Sequence, residues 1–239
     1  MKKIHFEHIN STSSYLKENY DKYDNLTFVS ADYQDKGHGR NNRVWFSEKG
    51  KNLLFSVLIK DGDLFSKASD LSLASSVCVY KVLKTIGLEN VSIKWPNDVY
   101  VNDKKIAGIL LESVSYGKGI EALVVGIGIN VNDNSFNKDL VDTATSISLE
   151  IGNNVDLMSF NEEIYNEFLK TLEEIKLGSK DYLLVVKNNN YLLGKKVYAL
   201  VNGVKEEVEV VDVNDDNSLK VKLRNEYMNL YSGEVTFHV

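Results

Sequence analysis

The chain carries one cysteine, Cys78, and one proline, Pro96, in 239 residues. A lone thiol has no internal partner, so a disulfide-stapled fold is excluded, and Cys78 falls in an apolar helical stripe where a buried thiol is expected. With a single proline, few loops are stiffened in advance. No run of about 18 apolar residues occurs, and Met1-Lys2-Lys3-Ile4-His5 leads into mixed sequence without the apolar region of a signal peptide; the expected location is cytoplasmic, with no membrane partner. Basic residues are outnumbered: 28 Lys and Arg against 34 Asp and Glu leave a net charge of −6. Domains that grip a phosphate backbone usually carry a basic face, so no nucleic-acid partner is expected. A GxxxxGK[ST] stretch is also missing, which excludes a P-loop. The acidic stretch from Val208 to Asp216 reads as a solvated edge or loop.

What is present is an ordinary globular composition, 43% hydrophobic and 26% charged. Single cores usually run to about 100–200 residues, so this length predicts one substantial unit plus a small one. A short strand around Ile4–Phe6 is followed by Asn10, Ser11, Thr12 and Ser13, which precede a helical pattern as N-cap residues do. Leu26–Ala31 and Asn52–Ile59 read as strands around a polar loop from Gln34 to Lys51. Leu71, Ala74, Cys78, Val82 and Ile86 predict a long amphipathic helix ending near Gly87. Short strands follow at Val91–Lys94 and Val99–Val101, then a turn at Asn102-Asp103 and two longer strands over 105–114 and 120–131. Leu157, Phe160, Ile164, Phe168, Leu172 and Ile175 predict a second long helix, with Ser159 and Glu162 spaced as a capping box. From Tyr191 the pattern changes to short valine-rich strands at Lys196–Val201, Glu206–Val213, Leu219–Leu223 and Glu234–Val239, broken at Asn202-Gly203 and at 215–217. That spacing predicts a small β-barrel or sandwich, and the division is expected at 1–188 and 189–239.

Three stretches carry possible chemistry. The first is Gly37-His38-Gly39-Arg40-Asn41-Asn42-Arg43-Val44-Trp45. Glycines let a backbone approach a ligand, and Asn42 suits a left-handed conformation. Arg40 and Arg43 offer permanently charged forks for phosphate, and Trp45 offers a face for a purine. The same residues also describe a solvated loop with one anchored aromatic. They do not meet the dinucleotide fingerprint, because Asn42 stands where a glycine is needed and no helix follows. The second stretch is Lys94-Trp95-Pro96-Asn97-Asp98 with Lys105 three residues before Gly108 inside an apolar strand. Lys105 is either an active-site cation or an edge lysine that discourages strand pairing. Asp98 either holds a divalent cation or closes an Asx turn with Asn97. The third is Val125-Gly126-Ile127-Gly128-Ile129-Asn130, with two glycines on one strand face, which by itself reads as structural.

Taken in this order, the Ser11-Thr12 helix start, Gln34 with the glycine–arginine loop and Trp45, the run at 94–98, Lys105 with Ala107-Gly108-Ile109-Leu110, and Gly126-Ile127-Gly128-Ile129-Asn130 resemble the catalytic core of biotin–protein ligases. Ser232-Gly233-Glu234-Val235 resembles the end of that family's small SH3-like barrel. The resemblance implies an α+β fold, a mixed, largely antiparallel sheet flanked by helices as in class II synthetases, with the small C-terminal SH3-like β-barrel. It implies an ATP-dependent ligase that forms biotinyl-5′-AMP and passes biotin to a lysine of a biotin carboxyl carrier domain, with magnesium and ATP as co-substrates and a homodimer as the expected state. Residue by residue it implies biotin contacts from Ser11, Thr12, Ser13, Gln34, Gly37, His38, Gly39, Lys105 and Gly108. ATP contacts are implied for Arg40, Arg43, Trp45, Asn97 and Asn130, catalytic charge for Lys105 and Arg40, and magnesium for Asp98. The winged-helix repressor domain of some members has no room before residue 11, so direct DNA binding is not expected. In the family loop, usually Gly-Arg-Gly-Arg-x-Gly-Arg, His38 here replaces an arginine and Asn42 a glycine. The Arg-Arg-x-Ser-Gly-Gly-Gly stretch of lipoate ligases is missing.

Overall fold

A computed structural model of the chain describes residues 2–117, 119–201 and 203–232, with Asn42 described in its backbone only. Among the described residues the strands form a sheet of seven and a sheet of four. The larger contains β1 (Lys3–Phe6), β2 (Thr27–Ala31), β3 (Leu53–Ile59), β4 (Val91–Lys94), β5 (Asp98–Val101), β6 (Lys104–Tyr116) and β7 (Gly119–Ile129), in the order β1-β2-β3-β7-β6-β5-β4. Only β1 and β2 pair in parallel; the other neighbours are antiparallel. The expected mixed sheet is therefore present. The β5–β6 turn is made by Asn102 and Asp103, with φ of 47° and 64°, the two left-handed residues that a tight hairpin needs.

Strand alternation decides which face does what. Odd positions of β7, from Leu123 to Ile129, enter the main core together with Phe55, Val57 and Ile59 of β3. Against this face pack α2 (Ala68–Thr85) and α4 (Leu157–Lys176), with α5 (Asp181–Asn188) alongside α2. Phe28, Phe55, Tyr165 and Phe168 form an aromatic group here, with Phe28 and Tyr165 centroids 4.2 Å apart. Burying each such ring contributes about 2–3 kcal/mol. Helix α2 is buried more widely than its predicted stripe, because the sheet, α4 and α5 each cover a side; Leu73, Ser76 and Val79 are as enclosed as Cys78. Burial raises the Cys78 thiol above its ordinary range, so it is inert. The even positions of β7 face the other way. Ala122 and Val124 meet Leu16 of α1 (Thr12–Glu18), with Val29 and Leu58. Beyond them come Gly126 and Gly128, where that face carries no side chain at all.

Four features differ from the sequence expectation. The N-cap of α4 is Asp156, whose carboxylate accepts from Ser159 N, so the proposed box of Ser159 and Glu162 does not form. Aspartate wins because its charge also suits the helix N-terminus. Two helices were not expected, α3 (Ile147–Ile151) and α5, nor was a strand, β11 (Glu226–Leu230). The smaller sheet joins β8 (Lys196–Val201), β9 (Val204–Val213), β10 (Leu219–Leu223) and β11, all antiparallel, in the order β11-β10-β9-β8. This four-stranded sheet is consistent with a small SH3-like unit. The predicted strand Glu234–Val239, Asn202 of the predicted turn, and Gly233 to Val235 lie outside the described residues.

The two sheets share buried contacts. The Trp95 indole N–H donates to the Asn217 carbonyl at 2.8 Å, and Asn217 holds φ 66° in the β9–β10 connection. Its side chain accepts from Tyr182 of α5 (2.9 Å) and donates to Asp70 of α2 (2.7 Å). Such a satisfied polar hub fixes the Trp95-Pro96 segment, a cis peptide, against three elements.

Candidate active site

The bare face between α1 and the loop after β2 is a cavity of about 410 Å³. Its floor follows from cross-strand register. Asp98, Gly108, Gly128 and Leu54 are paired in one row across β5, β6, β7 and β3; Leu110, Gly126 and Ser56 form the next row. Glycines are required by what lies on them. A Cβ at Gly128 would come within 2.7 Å of the Trp45 ring, and one at Gly126 within 2.6 Å of Ser13 Oγ. A Cβ at Gly108 would stand 3.0 Å from both Trp45 and Lys105 Nζ. Gly126-x-Gly128 is thus not a bulge: Gly126 lets helix α1 approach through Ser13, and Gly128 admits the Trp45 indole.

One end of the cavity is uncharged and polar. Ser11 caps α1 through Ser14 N, which sets Thr12 and Ser13 in its first turn facing the sheet. Gln34 Oε1 accepts from Thr12 N (2.7 Å) and Thr12 Oγ1 (3.1 Å). Thr12 and Ser13 hydroxyls both meet Ser56 Oγ, at 2.8 and 2.9 Å. Since the Gln34 oxygen takes both Thr12 donors, its NH₂ group is left to face Gly37 and the cavity. Fixed donors and acceptors in an otherwise apolar pocket are what orient a small ligand.

The other end is cationic. Lys105 folds over Gly108 to place Nζ 2.7 Å from Asp98 Oδ1 and 5.4 Å from the Trp45 ring centre. Its backbone is held on both sides, N–H to the Thr143 carbonyl and carbonyl to Thr145 N–H. The edge-lysine reading is thereby set aside, because β6 is a central strand. Lys94 Nζ lies 3.1 Å from the Tyr100 hydroxyl and over that ring; burial pushes its ammonium below the usual range, with Asp98 partly offsetting. Arg40 is also lowered by burial and raised by Asp98, and its guanidinium donates to the Ser232 carbonyl. Among the described lining residues Arg40, Arg43, Lys94 and Lys105 face a single carboxylate, Asp98. An anionic ligand would relieve that imbalance. Among the described residues no group of three or more His, Cys, Asp or Glu gathers to cage a metal. Asp98 is paired with Lys105 rather than closing an Asx turn, and Asn97 instead donates to the Ile109 carbonyl at 2.5 Å.

The loop itself is a narrow hairpin. Trp45 N–H donates to the Gly37 carbonyl and Gly39 N–H to the Arg43 carbonyl, both at 2.8 Å, around a single 3₁₀ turn at Arg40–Asn42. The left-handed residue is Asn41, φ 56°, and not Asn42 as the spacing suggested. The difference is one of register: the turn closes one residue earlier. Phe46 is 47% exposed and Val44 80%, so only Trp45 of this segment is anchored.

Of the residues singled out in the sequence, Ser11, Thr12, Ser13, Gln34, His38, Gly39, Arg40, Arg43, Trp45, Asn97, Asp98, Lys105, Gly108 and Asn130 all line this one cavity. Gly37 stands behind it, in contact with Gln34 and Trp45. Asn130 turns its NH₂ to the Thr145 carbonyl at 3.0 Å. Sequence reasoning missed Ser56, Lys94 as a lining cation, and Tyr100. Ser56 had a signal: it is the one polar residue in the apolar run Leu53–Ile59.

A helix-flanked mixed sheet carries a cavity that is cationic at one end and hydrogen-bonding at the other, an arrangement suited to a small anionic compound. Residues 5–130 match the family model described as the biotin/lipoate A/B protein ligase family, and the chain belongs to that family. The bifunctional ligase/repressor BirA of Bacillus subtilis is 33% identical over 173 residues, which are 68% of this chain and 53% of that protein. The biotin–[acetyl-CoA-carboxylase] ligase of Paracoccus denitrificans is 39% identical over 109 residues, 44% of each chain. The chain thus spans about half the length of the curated relatives it matches. The solved biotin protein ligase of Aquifex aeolicus, in complex with biotin and ATP, superposes with a TM-score of 0.88 at 28% identity, covering 99% of this chain and 98% of that one.

Proposed function

We propose that the chain is a biotin–protein ligase, forming biotinyl-5′-AMP from biotin and ATP and transferring biotin to a lysine of a biotin carboxyl carrier domain. The observation that carries this reading is the polarity of the cavity. The cations at Lys105, Arg40 and Arg43 suit a carboxylate and phosphates. The opposite end, where Gln34, Thr12, Ser13 and Ser56 are linked, suits a ureido group that both donates and accepts. Octanoate and lipoate have no such hydrogen-bonding end and would leave these groups unmatched, a cost of about 1–3 kcal/mol for each.

In the first step a carboxylate oxygen of biotin attacks the α-phosphorus and pyrophosphate leaves. Two like charges about 4 Å apart at an effective dielectric near 20 repel by about 4 kcal/mol, roughly three powers of ten in rate. Lys105, held in place over Gly108, supplies charge between them before the reaction begins, and Arg40 and Arg43 face the phosphates. Magnesium would come with the triphosphate and neutralise phosphate charge; Asp98, the one carboxylate among the described lining residues, would be the protein group to hold it, since such an ion takes one or two carboxylates beside substrate phosphates. In the second step the acceptor amine attacks the acyl carbon and AMP leaves. The proposal places the catalytic unit at residues 1–188 and the barrel at 189–239. It carries a cytoplasmic location and a homodimer from the family reading, and names no nucleic-acid partner, in keeping with the charge of −6. No described helix is long and apolar enough to cross a membrane.

The test is adenylate formation from α-labelled ATP and magnesium with biotin, lipoate or octanoate in turn. A labelled adduct with biotin alone is expected. An adduct with lipoate or octanoate in place of biotin would reassign the chain within its family, and none with any acid would leave a binding protein.

A further inference from the structure

The β6 positions facing α1 run Gly108, Leu110, Glu112 and Val114, and the first two line the cavity. Glu112 is next, paired across β7 with Val124 and only 20% exposed. A carboxylate on a mostly covered sheet face has to be matched, and its two oxygens are matched differently. Oε1 meets Lys17 Nζ of α1 at 2.5 Å. Oε2 is buried without a hydrogen-bond partner among the described residues, and His38 Nε2 of the ligand loop stands 3.6 Å away. His38 Nδ1 lies 3.1 Å from the Lys36 carbonyl. A carbonyl only accepts, so Nδ1 carries a proton. With a second proton on Nε2, the imidazolium faces the one unmatched carboxylate oxygen. Without it, a lone pair opposes that oxygen.

We infer that Glu112, held by Lys17, is a positioning residue for the ligand loop, clasping it to the sheet through the protonated form of His38. The inference rests on reading the loop as the cover of the biotin site. The groups that face the imidazole are Glu112 of β6 with Lys17 of α1 behind it and, from the loop itself, the Lys36 carbonyl. The clasp therefore needs the second imidazole proton and is lost with it. A loop ordered before its ligand arrives costs less to order on binding, so biotin affinity should follow the clasp.

The test reads hydrogen-exchange protection of residues 35–46 in the full chain without ligand, corrected for the intrinsic pH dependence of exchange, beside the biotin Kd at the same pH values. Protection should fall roughly fivefold from about pH 6 to about pH 8, and the Kd should rise with it. Glu112→Gln, nearly isosteric and neutral, should be poorly protected and flat across that range. His38→Arg, charged throughout, should be protected and flat. A Glu112→Gln profile that keeps the parent's pH dependence, or a His38→Arg profile that still falls, overturns the inference. His38→Arg lies on a surface loop and serves if Glu112→Gln fails to fold. Should the chain bind no biotin, the ligase reading fails while the exchange data still decide the clasp, a fall supporting it and a flat parent profile overturning it.

Discussion

Lys105→Ala is expected to lower the rate of adenylate formation by about a thousandfold, the cost of letting a carboxylate approach an anionic phosphate without the charge between them. Biotin binding should weaken by no more than about tenfold, because the linked groups at Gln34, Thr12, Ser13 and Ser56 are untouched. Two features raise the effect above that of a surface lysine. The ammonium is held by Asp98 at 2.7 Å, and both backbone groups of Lys105 are fastened to the 143–145 segment. Its position is thus set before substrate arrives, which is where electrostatic catalysis gains most. Single-turnover kinetics with biotin and ATP, beside calorimetric titration of biotin alone, separates the two quantities. Equal loss of binding and rate would mean that Lys105 is a binding group without a share in the chemistry.

Gly128→Val should abolish the groove and leave the fold. Valine is at home in a strand, so the sheet itself gains or loses little. The Cβ, however, would come within 2.7 Å of Trp45, and its methyls would stand in the row between Leu54 and Gly108. Overpacking of this kind costs about 1–3 kcal/mol and is relieved by lifting the exposed hairpin that carries Trp45 off the sheet, so the ligand loses that wall and biotin affinity should fall by about 10- to 100-fold. Denaturant unfolding should stay within about 1 kcal/mol of the parent. Unchanged affinity would show that the ligand does not use the floor of this cavity.

The elements legible in the sequence were those with long or strict periodicity. Strands β3 and β8 and helices α2 and α4 have apolar repeats that burial then uses directly. Helices α3 and α5 were missed because five and eight residues hold at most two turns of pattern. Lys180 gives α5 no side-chain cap, and Leu184 is exposed among its apolar residues. Their existence depends on what they pack against, such as α2 and β9 for α5. In the site, Lys105 before Gly108 was visible as an oddity of spacing, and the structure explains it by the lysine lying over the glycine. Gly126 and Gly128 could not be interpreted locally, since the atoms that need their missing side chains belong to Ser13 and Trp45, far away in the chain. The Lys17–Glu112–His38 contact was invisible for the same reason: three elements separated by long intervals meet only once the sheet is assembled.

On the proposed reading, this cavity activates biotin for delivery to a lysine. The most direct measurement is the intact mass of a biotin carboxyl carrier domain after incubation with the chain, biotin, ATP and magnesium. One biotinyl group should be added, and none when the acceptor lysine is replaced by arginine or ATP is omitted. An acceptor that stays unmodified while a known ligase modifies it under the same conditions would contradict the account.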